Sequence, residues 1–421
     1  MPALWRRLHP YLLLTLLALP ALWPLTAPGL ARTNDDLPHF YRALELAQLF
    51  RAGVLLPRWA PDLVLGFGYP VFNFFPYEAH ALVAGLNLLG LPLLTAYKAA
   101  TALVLLLAVF GAYRLAREHF GPAAGLIAGL AYLYSPYLLY DTYMRGSLPE
   151  ALALAWLPTA LLYLRRAVRG GRRADQLLAA LTLAAAILAH QGVMLQVMPL
   201  GLAYTLWQWW PNRPRGLGRA VARKWLTLAR PFGPFALALG LAAFFLLPAL
   251  AEAPYVQIAR GTGNGAMSYV NNFLSLGDLL AQPRLPVDPD LLNPPVVRSL
   301  PLLALALAAL AWLRWLRAPA GQAQRRNLAA LTLLAVAALL LMLPIARPLW
   351  DALPLLQLTL FPWRLLGPIS LFTALVAGAL FAAPAQPELP RNDTLTAILL
   401  GLAALTLVLS GLPFASPPRE A

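Results

Sequence analysis

The chain is 421 residues long, 60% hydrophobic and only 12% charged, with a mean hydropathy of +0.66; this excludes a soluble domain of that length and makes it an integral membrane protein. Its formal charge of +15 does not point to nucleic acid, because the basic residues sit in short linkers between apolar runs and no soluble basic domain carries them. The absence of cysteine excludes disulfides, thiolate chemistry and cysteine-held metals.

Apolar runs long enough to cross about 30 Å of hydrocarbon recur along the chain, without the alternating pattern of an outer-membrane barrel. The start MPALWRRLHPYLLLTLLALPALWPLTAPGLA, basic and then apolar, reads as a retained signal-anchor helix. Spans are expected near 11–30, 98–115, 122–139, 149–165, 175–189, 193–210, 232–250, 300–316, 328–344, 364–382 and 395–413. The fold expected is all-α: one membrane domain over 1–421 with about eleven transmembrane helices and two long outer loops, 31–97 and 251–299. The stretch EAHALVAGLNLLGLPLLTAY (78–97) would, if it crossed, place RRAVRGGRR outside with the other basic linkers. It is read instead as a helix in the outer interface.

With that parity the N-terminus is cytoplasmic, together with the linkers that hold Arg6 and Arg7, Arg114 and Arg117, Arg165 to Arg173, Arg213 to Arg230, Arg314 to Arg326, and Arg391. Of the 17 acids, only Glu118, Asp175, Glu388 and Asp393 fall on the same side. Asp288, Asp290, Glu420 and the rest face outward, so chemistry is expected there.

On the outer face, DDLPHFYRALELAQLFRAG reads as a short helix capped by Asn34 or Asp35 and ended by Gly53. Asp35 and Asp36 are either a cap and a first-turn acid or a pair whose repulsion raises each pKa, as a general base or metal site needs. His39 lies on the same face. PRWAPDLVLGFGYPVFNFFPYEAH is an interfacial aromatic belt or a groove in which Tyr69, Phe72, Asn73, Phe74 and Tyr77 line a path for a lipid chain or a sugar. YDTYMRGSLPEALALAWLP sets Asp141, Arg145 and Glu150 where two spans meet, as an ion pair closing a hairpin or as a guanidinium fork for phosphate. His190, in ILAHQGVML, is a hydrogen-bonded structural residue or the partner of an acid or phosphate. Glu252 stands just beyond a span, and Trp363 and Arg364 stand where FPWRLLGP enters one; Arg364 either snorkels or contacts an anion. RGTGNGAMSYVNN matches a phosphate nest only weakly.

Taken together, TNDDLPHFYRALEL, GVLLPRWAPD, GFGYPVFNFFPY, YMRGSLPEALALAWLP, LAHQ, FFLLPALAE and LTLFPWRLLGP resemble bacterial membrane proteins labelled 6-pyruvoyl-tetrahydropterin synthase-related, from about residue 30 to about 370. Nothing resembles the soluble pterin enzyme or its zinc histidines. That membrane family looks related to the GT-C superfamily of polytopic glycosyltransferases, which includes protein O-mannosyltransferases and the aminoarabinose lipid A transferase. The resemblance implies a GT-C-like fold in the bacterial inner membrane, moving a sugar from a polyprenyl-phosphate donor to a glycan, lipid or protein acceptor on the extracytoplasmic face. It implies Asp35 or Asp36 as catalytic acid, with Mg or Mn on that pair if a metal is used, and Arg145, His190 and Arg364 on the donor phosphate. His39, Tyr69, Asn73, Asp141, Glu150, Glu252 and Trp363 would then bind the acceptor or orient those cations. The rival readings are a lipid or polysaccharide-precursor flippase and a non-catalytic assembly protein of the envelope.

Overall fold

The computed structural model describes residues 3–212, 229–256, 265–281, 298–317, 321–382 and 393–415. Arg213, Arg215, Arg219, Arg223, Lys224, Asp288, Asp290, Glu388, Arg391, Glu420 and the stretch before Gly265 in the glycine-rich loop lie outside these residues. The regular structure among the described residues is helical, apart from one isolated bridge between Ala60 and Tyr69.

The long helices are α1 (Ala3–Leu22), α5 (Leu93–Phe120), α6 (Pro122–Leu133), α8 (Leu148–Arg169), α9 (Arg173–Ala189), α10 (Gln191–Trp209), α11 (Gly233–Ala251), α12 (Leu302–Arg317), α13 (Gln322–Leu341), α14 (Leu366–Gly378) and α15 (Asp393–Gly411). The first loop contributes α2 (Asp36–Arg51), α3 (Val71–Phe74) and α4 (Glu78–Leu88), and α7 (Pro136–Tyr140) follows α6. Among the described residues seven segments are long and apolar enough to cross a membrane, or eight if the pair around Ser135, bent by 43°, is one span. The protein is therefore a multi-pass membrane protein, but eleven crossings are not supported. The reason is length and polarity: α9 has 17 residues and α12 has 16, under 30 Å at 1.5 Å per residue, and α10 carries Gln191, Gln196 and Gln208. The 78–97 stretch is no single helix either. α4 has 11 residues, too few to cross, and α5 starts after a turn at Gly90.

Lipid tails are as apolar as leucine, so size rather than hydrophobicity decides which face of a membrane helix packs inward. In α12 the buried stripe is Ala304, Ala308, Ala311 and Trp315, while Leu310, Leu313 and Leu316 are exposed. Every residue of α14 is buried, which makes it the central post of the bundle against α6, α12 and α13. Gly378 allows that approach: a Cβ there would sit 2.4 Å from the Ala124 carbonyl oxygen. Hydrogen bonds add register, with the Tyr134 hydroxyl donating to Leu17 O (2.6 Å) and the Tyr143 hydroxyl to Ala21 O (2.5 Å), both on α1.

Candidate functional site

Two stretches far apart in sequence are stitched together by backbone. The amide of Asp35 donates to Arg145 O (2.8 Å) and that of Asn34 to Met144 O (3.4 Å). The partner strand of atoms is unusual: Asp141–Arg145 form one π-helical turn, ended by Gly146 at φ +71°. Such insertions re-aim side chains and are common at functional sites. Gly146 must be glycine on two counts, its left-handed φ and its neighbours. A Cβ would lie 2.2 Å from Thr33 Oγ1, 2.7 Å from Asp36 Cγ and 2.8 Å from the Asp36 amide nitrogen. Gly146→Ala is expected to cost about 1–3 kcal/mol through backbone strain alone and to push the Asp35–Asp36 segment off Arg145; a melting temperature equal to wild type would overturn this account of the docking.

The cap expected at the start of α2 takes a different form. Asp35 occupies the N-cap position, yet its carboxylate makes no cap bond; Thr33 Oγ1 accepts the Asp36 amide instead (3.0 Å). Both carboxylates are thereby released for other partners. Asp35, half-exposed, faces Arg145 Nε at 3.5 Å. Asp36, buried, accepts the Tyr97 hydroxyl at 2.6 Å. Gly53 follows the end of α2 at φ +83°, as its helix-ending role requires.

The centre of the site is Glu150, fully buried on the first turn of α8. Its Oε1 accepts the Tyr137 hydroxyl (2.5 Å); its Oε2 accepts Arg145 Nη1 (2.5 Å) and Arg364 Nε (3.0 Å). His190 Nε2 stands 4.0 Å from the same oxygen. Since His190 Nδ1 accepts the Val193 amide (3.2 Å), a neutral ring must carry its proton on Nε2, toward Glu150. Arg145 also donates to Asp141 (2.8 Å) and lies 5.2 Å over the Trp363 ring. Arg364 is held by a strained turn: Leu360 has φ +65°, the Thr359 carbonyl accepts Arg364 Nη1 (2.8 Å), and Gln196 donates to Thr359 Oγ1 and Phe361 O. Asp35, Asp141, Arg145, Glu150, His190, Trp363 and Arg364 thus form one connected group.

Other expected residues lie outside that contact set. His39 turns to His80, ring nitrogen to ring nitrogen at 3.1 Å; burial holds both imidazoles neutral, His39 well below the usual range and His80 down to about 3. Tyr69 pairs its backbone with Ala60 and is half-exposed. Glu252 orients neither Arg145 nor Arg364. It accepts from Asn73 (2.9 Å) and pairs with Arg58 (3.7 Å), bridging the first loop to the end of α11. Of the aromatic groove expected there, Phe72, Asn73 and Tyr77 line a cavity of about 310 Å³ with Arg58 and α11; Tyr69 and Phe74 do not. Arg364 is buried, so it does not snorkel.

Burial is the main force on the aspartates. It lifts Asp36 from the ordinary 3.8 to about 7, against the Tyr97 and Thr33 hydrogen bonds that favour its charged form. It also raises Asp35, with Arg145 pulling the other way. Asp36 borders a cavity of about 490 Å³ shared with Tyr97, Lys98, Thr101, Thr142 and Tyr143. Because the folded pKa of Asp36 exceeds its unfolded value, its contribution to stability is full below 3.8 and is lost as pH rises through about 7. Asp36→Asn should therefore melt higher than wild type at pH 8, with the gap closing toward pH 4; a pH-independent difference would contradict this.

The Asp35 and Asp36 carboxylates are engaged by different partners, and among the described residues no group of three or more His, Cys, Asp or Glu is placed to hold a metal ion.

Sequence reasoning missed Tyr137, Tyr97, Thr33 and Gln196. The roles of Tyr137 and Tyr97 follow only from which carboxylate the fold sets against each hydroxyl.

With the geometry in hand, comparison with known proteins is informative. The family model described as Dolichyl-phosphate-mannose-protein mannosyltransferase matches residues 77–222, a stretch that holds Asp141, Arg145, Glu150 and His190. The expected 6-pyruvoyl-tetrahydropterin synthase-related family finds no support in these comparisons. No curated protein matches the chain. Among solved structures, 98% of the chain superposes on the arabinofuranosyltransferase AftD from Mycobacteria, with a TM-score of 0.57 and 18% identity, covering 26% of that protein. ArnT from Cupriavidus metallidurans, bound to undecaprenyl phosphate, gives a TM-score of 0.55 at 14% identity, covering 98% of this chain and 75% of that one. The oligosaccharyltransferase AglB from Archaeoglobus fulgidus, in complex with an inhibitory peptide and a dolichol-phosphate, gives 0.51 at 13%, covering 99% and 57%. The chain spans about a quarter of AftD and little more than half of AglB. What is shared at these identities is the fold, which is GT-C-like.

Proposed function

We propose that this protein is a glycosyltransferase that moves a sugar from a polyprenyl-phosphate donor to an acceptor hydroxyl at the extracytoplasmic face of a bacterial inner membrane, with its N-terminus cytoplasmic. The observation that carries the reading is the junction at Arg145. On one side is the half-exposed Asp35 carboxylate at 3.5 Å; on the other is buried Glu150, which holds Arg145 and Arg364 together. The mannosyltransferase family description and the polyprenyl and dolichol phosphates bound by structural neighbours support the donor class.

In this reading the acceptor oxygen forms the new bond to the anomeric carbon while the bond from that carbon to the donor phosphate oxygen breaks. The acceptor proton passes to Asp35, whose raised pKa brings it nearer neutrality than an exposed aspartate. The negative charge that builds on the leaving polyprenyl phosphate is met by the N–H groups of Arg145 and Arg364 not engaged by carboxylates, with His190 Nε2–H beside them. Cations already aimed by Glu150 need no reorganisation as the charge develops, which is where such groups act most strongly. Asp36 holds the loop through Tyr97 rather than meeting substrate. Asn73, Glu252, Tyr69 and His39 are the residues of the outer face through which an acceptor would be bound.

Purified protein in vesicles, supplied with labelled polyprenyl-phosphate sugars and candidate acceptor glycans, lipids or peptides, tests this directly. Labelled product that forms far more slowly in Asp35→Asn is the expected result. Movement of label across the vesicle membrane without product would assign the protein to the transporters instead.

A further inference from the structure

Arg169 stands nineteen residues on from Glu150 along α8, about 28 Å at 1.5 Å per residue, close to the depth of the hydrocarbon core. At that level the ends of α8, α10, α12 and α13 line an open cavity of about 970 Å³. Its wall carries three guanidiniums, Arg169, Arg325 and Arg326, and three indoles, Trp207, Trp312 and Trp315, and no carboxylate among the described residues. Glu118, an acid at this end of the bundle, is taken up by Arg165 (3.4 Å) and Arg166 (2.6 Å).

The polar atoms around the cavity divide into two sets. Trp312 Nε1 donates to Thr332 Oγ1 (2.9 Å) and Trp315 Nε1 to Ala379 O (3.0 Å). Trp207 Nε1 and Arg326 Nε are buried with no protein partner among the described residues. Buried donors without acceptors are costly, and here they border a positively charged space. A ligand for this wall must therefore be an anion with several acceptor oxygens. A guanidinium fork matches a phosphate in this way, and indoles rest at the headgroup level of a bilayer.

The geometry points to a binding site for the phosphodiester headgroup of an anionic phospholipid, gripped by Arg169 and Arg326 with the indoles against its glycerol. The run that follows α8, Arg172 and Arg173 included, places this end on the cytoplasmic side by charge bias, where anionic lipids concentrate. This inference stands apart from the transferase reading and survives its failure.

The test is titration of the full-length protein in neutral detergent with phosphatidylglycerol, phosphatidylcholine or inorganic phosphate, read by native mass spectrometry and by melting temperature. Phosphatidylglycerol is expected to be retained and to raise the melting temperature; in Arg169→Gln/Arg326→Gln its half-saturating concentration should rise about tenfold or more, from two lost cations near the membrane surface. Arg172→Gln/Arg173→Gln, which changes exposed arginines outside the cavity, should bind as wild type does. Trp207→Phe removes the unpartnered N–H with part of the ring and should weaken retention without touching charge, which keeps the test valid if the double variant fails to fold. An equal response to phosphatidylcholine, saturation by inorganic phosphate alone, or an equal loss in the Arg172/Arg173 variant would each overturn the site.

Discussion

Glu150→Gln is expected to abolish transfer and to lower stability by about 3–5 kcal/mol, the range found when a buried ion pair loses one side. The carboxylate is fully buried and accepts from Tyr137, Arg145 and Arg364. Without its charge two guanidiniums share one pocket, with Asp141 bonded only to Arg145. Tyr137→Phe removes one hydrogen bond to a charged group and should cost less, about 1.5–3 kcal/mol. Thermal unfolding in detergent ranks the two. A Glu150→Gln protein that melts with wild type would mean the arginines have other anchors, and the site would lose its centre.

Asp35→Asn should do the opposite, separating chemistry from folding. Its side chain is 40% exposed and pairs only loosely with Arg145, so the melting temperature should hardly move. Loss of a positioned base lowers rates by roughly 10²–10⁴-fold, and the remaining activity should no longer show the acid limb that protonation of Asp35 imposes. That limb is expected above the ordinary aspartate range, because burial raises Asp35. Asp36→Asn should cut transfer less while raising stability at alkaline pH. Steady-state rates and melting curves on the two variants decide the assignment: if Asp36→Asn is the silent protein, the base is Asp36.

Much of the site was legible because membrane chemistry is sparse. In a chain with 17 acids among 421 residues, a charged side chain at a helix end must have a reason, and Arg145, Glu150, His190 and Arg364 could be picked out one by one. Their mutual contacts could not. The Arg145–Glu150 pairing was readable as a local hairpin bridge, but the bond from Arg364 to Glu150 spans 214 positions. Glu252 shows the converse. Its place beside a span suggested a role with the arginines, and the fold gave it Asn73 and Arg58 instead. The Asp35 cap was a sound local inference, yet its carboxylate makes no cap bond and Thr33 accepts the Asp36 amide instead.

Crossing counts failed because an apolar run marks a helix without fixing where it ends: α9 and α12 come out too short to cross, and α10 carries three glutamines. By itself the sequence determined that the chain is all-helical and membrane-embedded, where its long helices run, and which scarce charged residues deserved scrutiny; those follow from run length and from the cost of placing charge in hydrocarbon. Only the tertiary structure decided that TNDD docks on YMRG through a π-turn and a left-handed glycine, that one buried glutamate gathers two arginines, and that the far end of α8 opens into a basic, indole-lined cavity. Those depend on helix packing, where close approach is set by small residues and by partners far apart in the chain, and no local pattern records them.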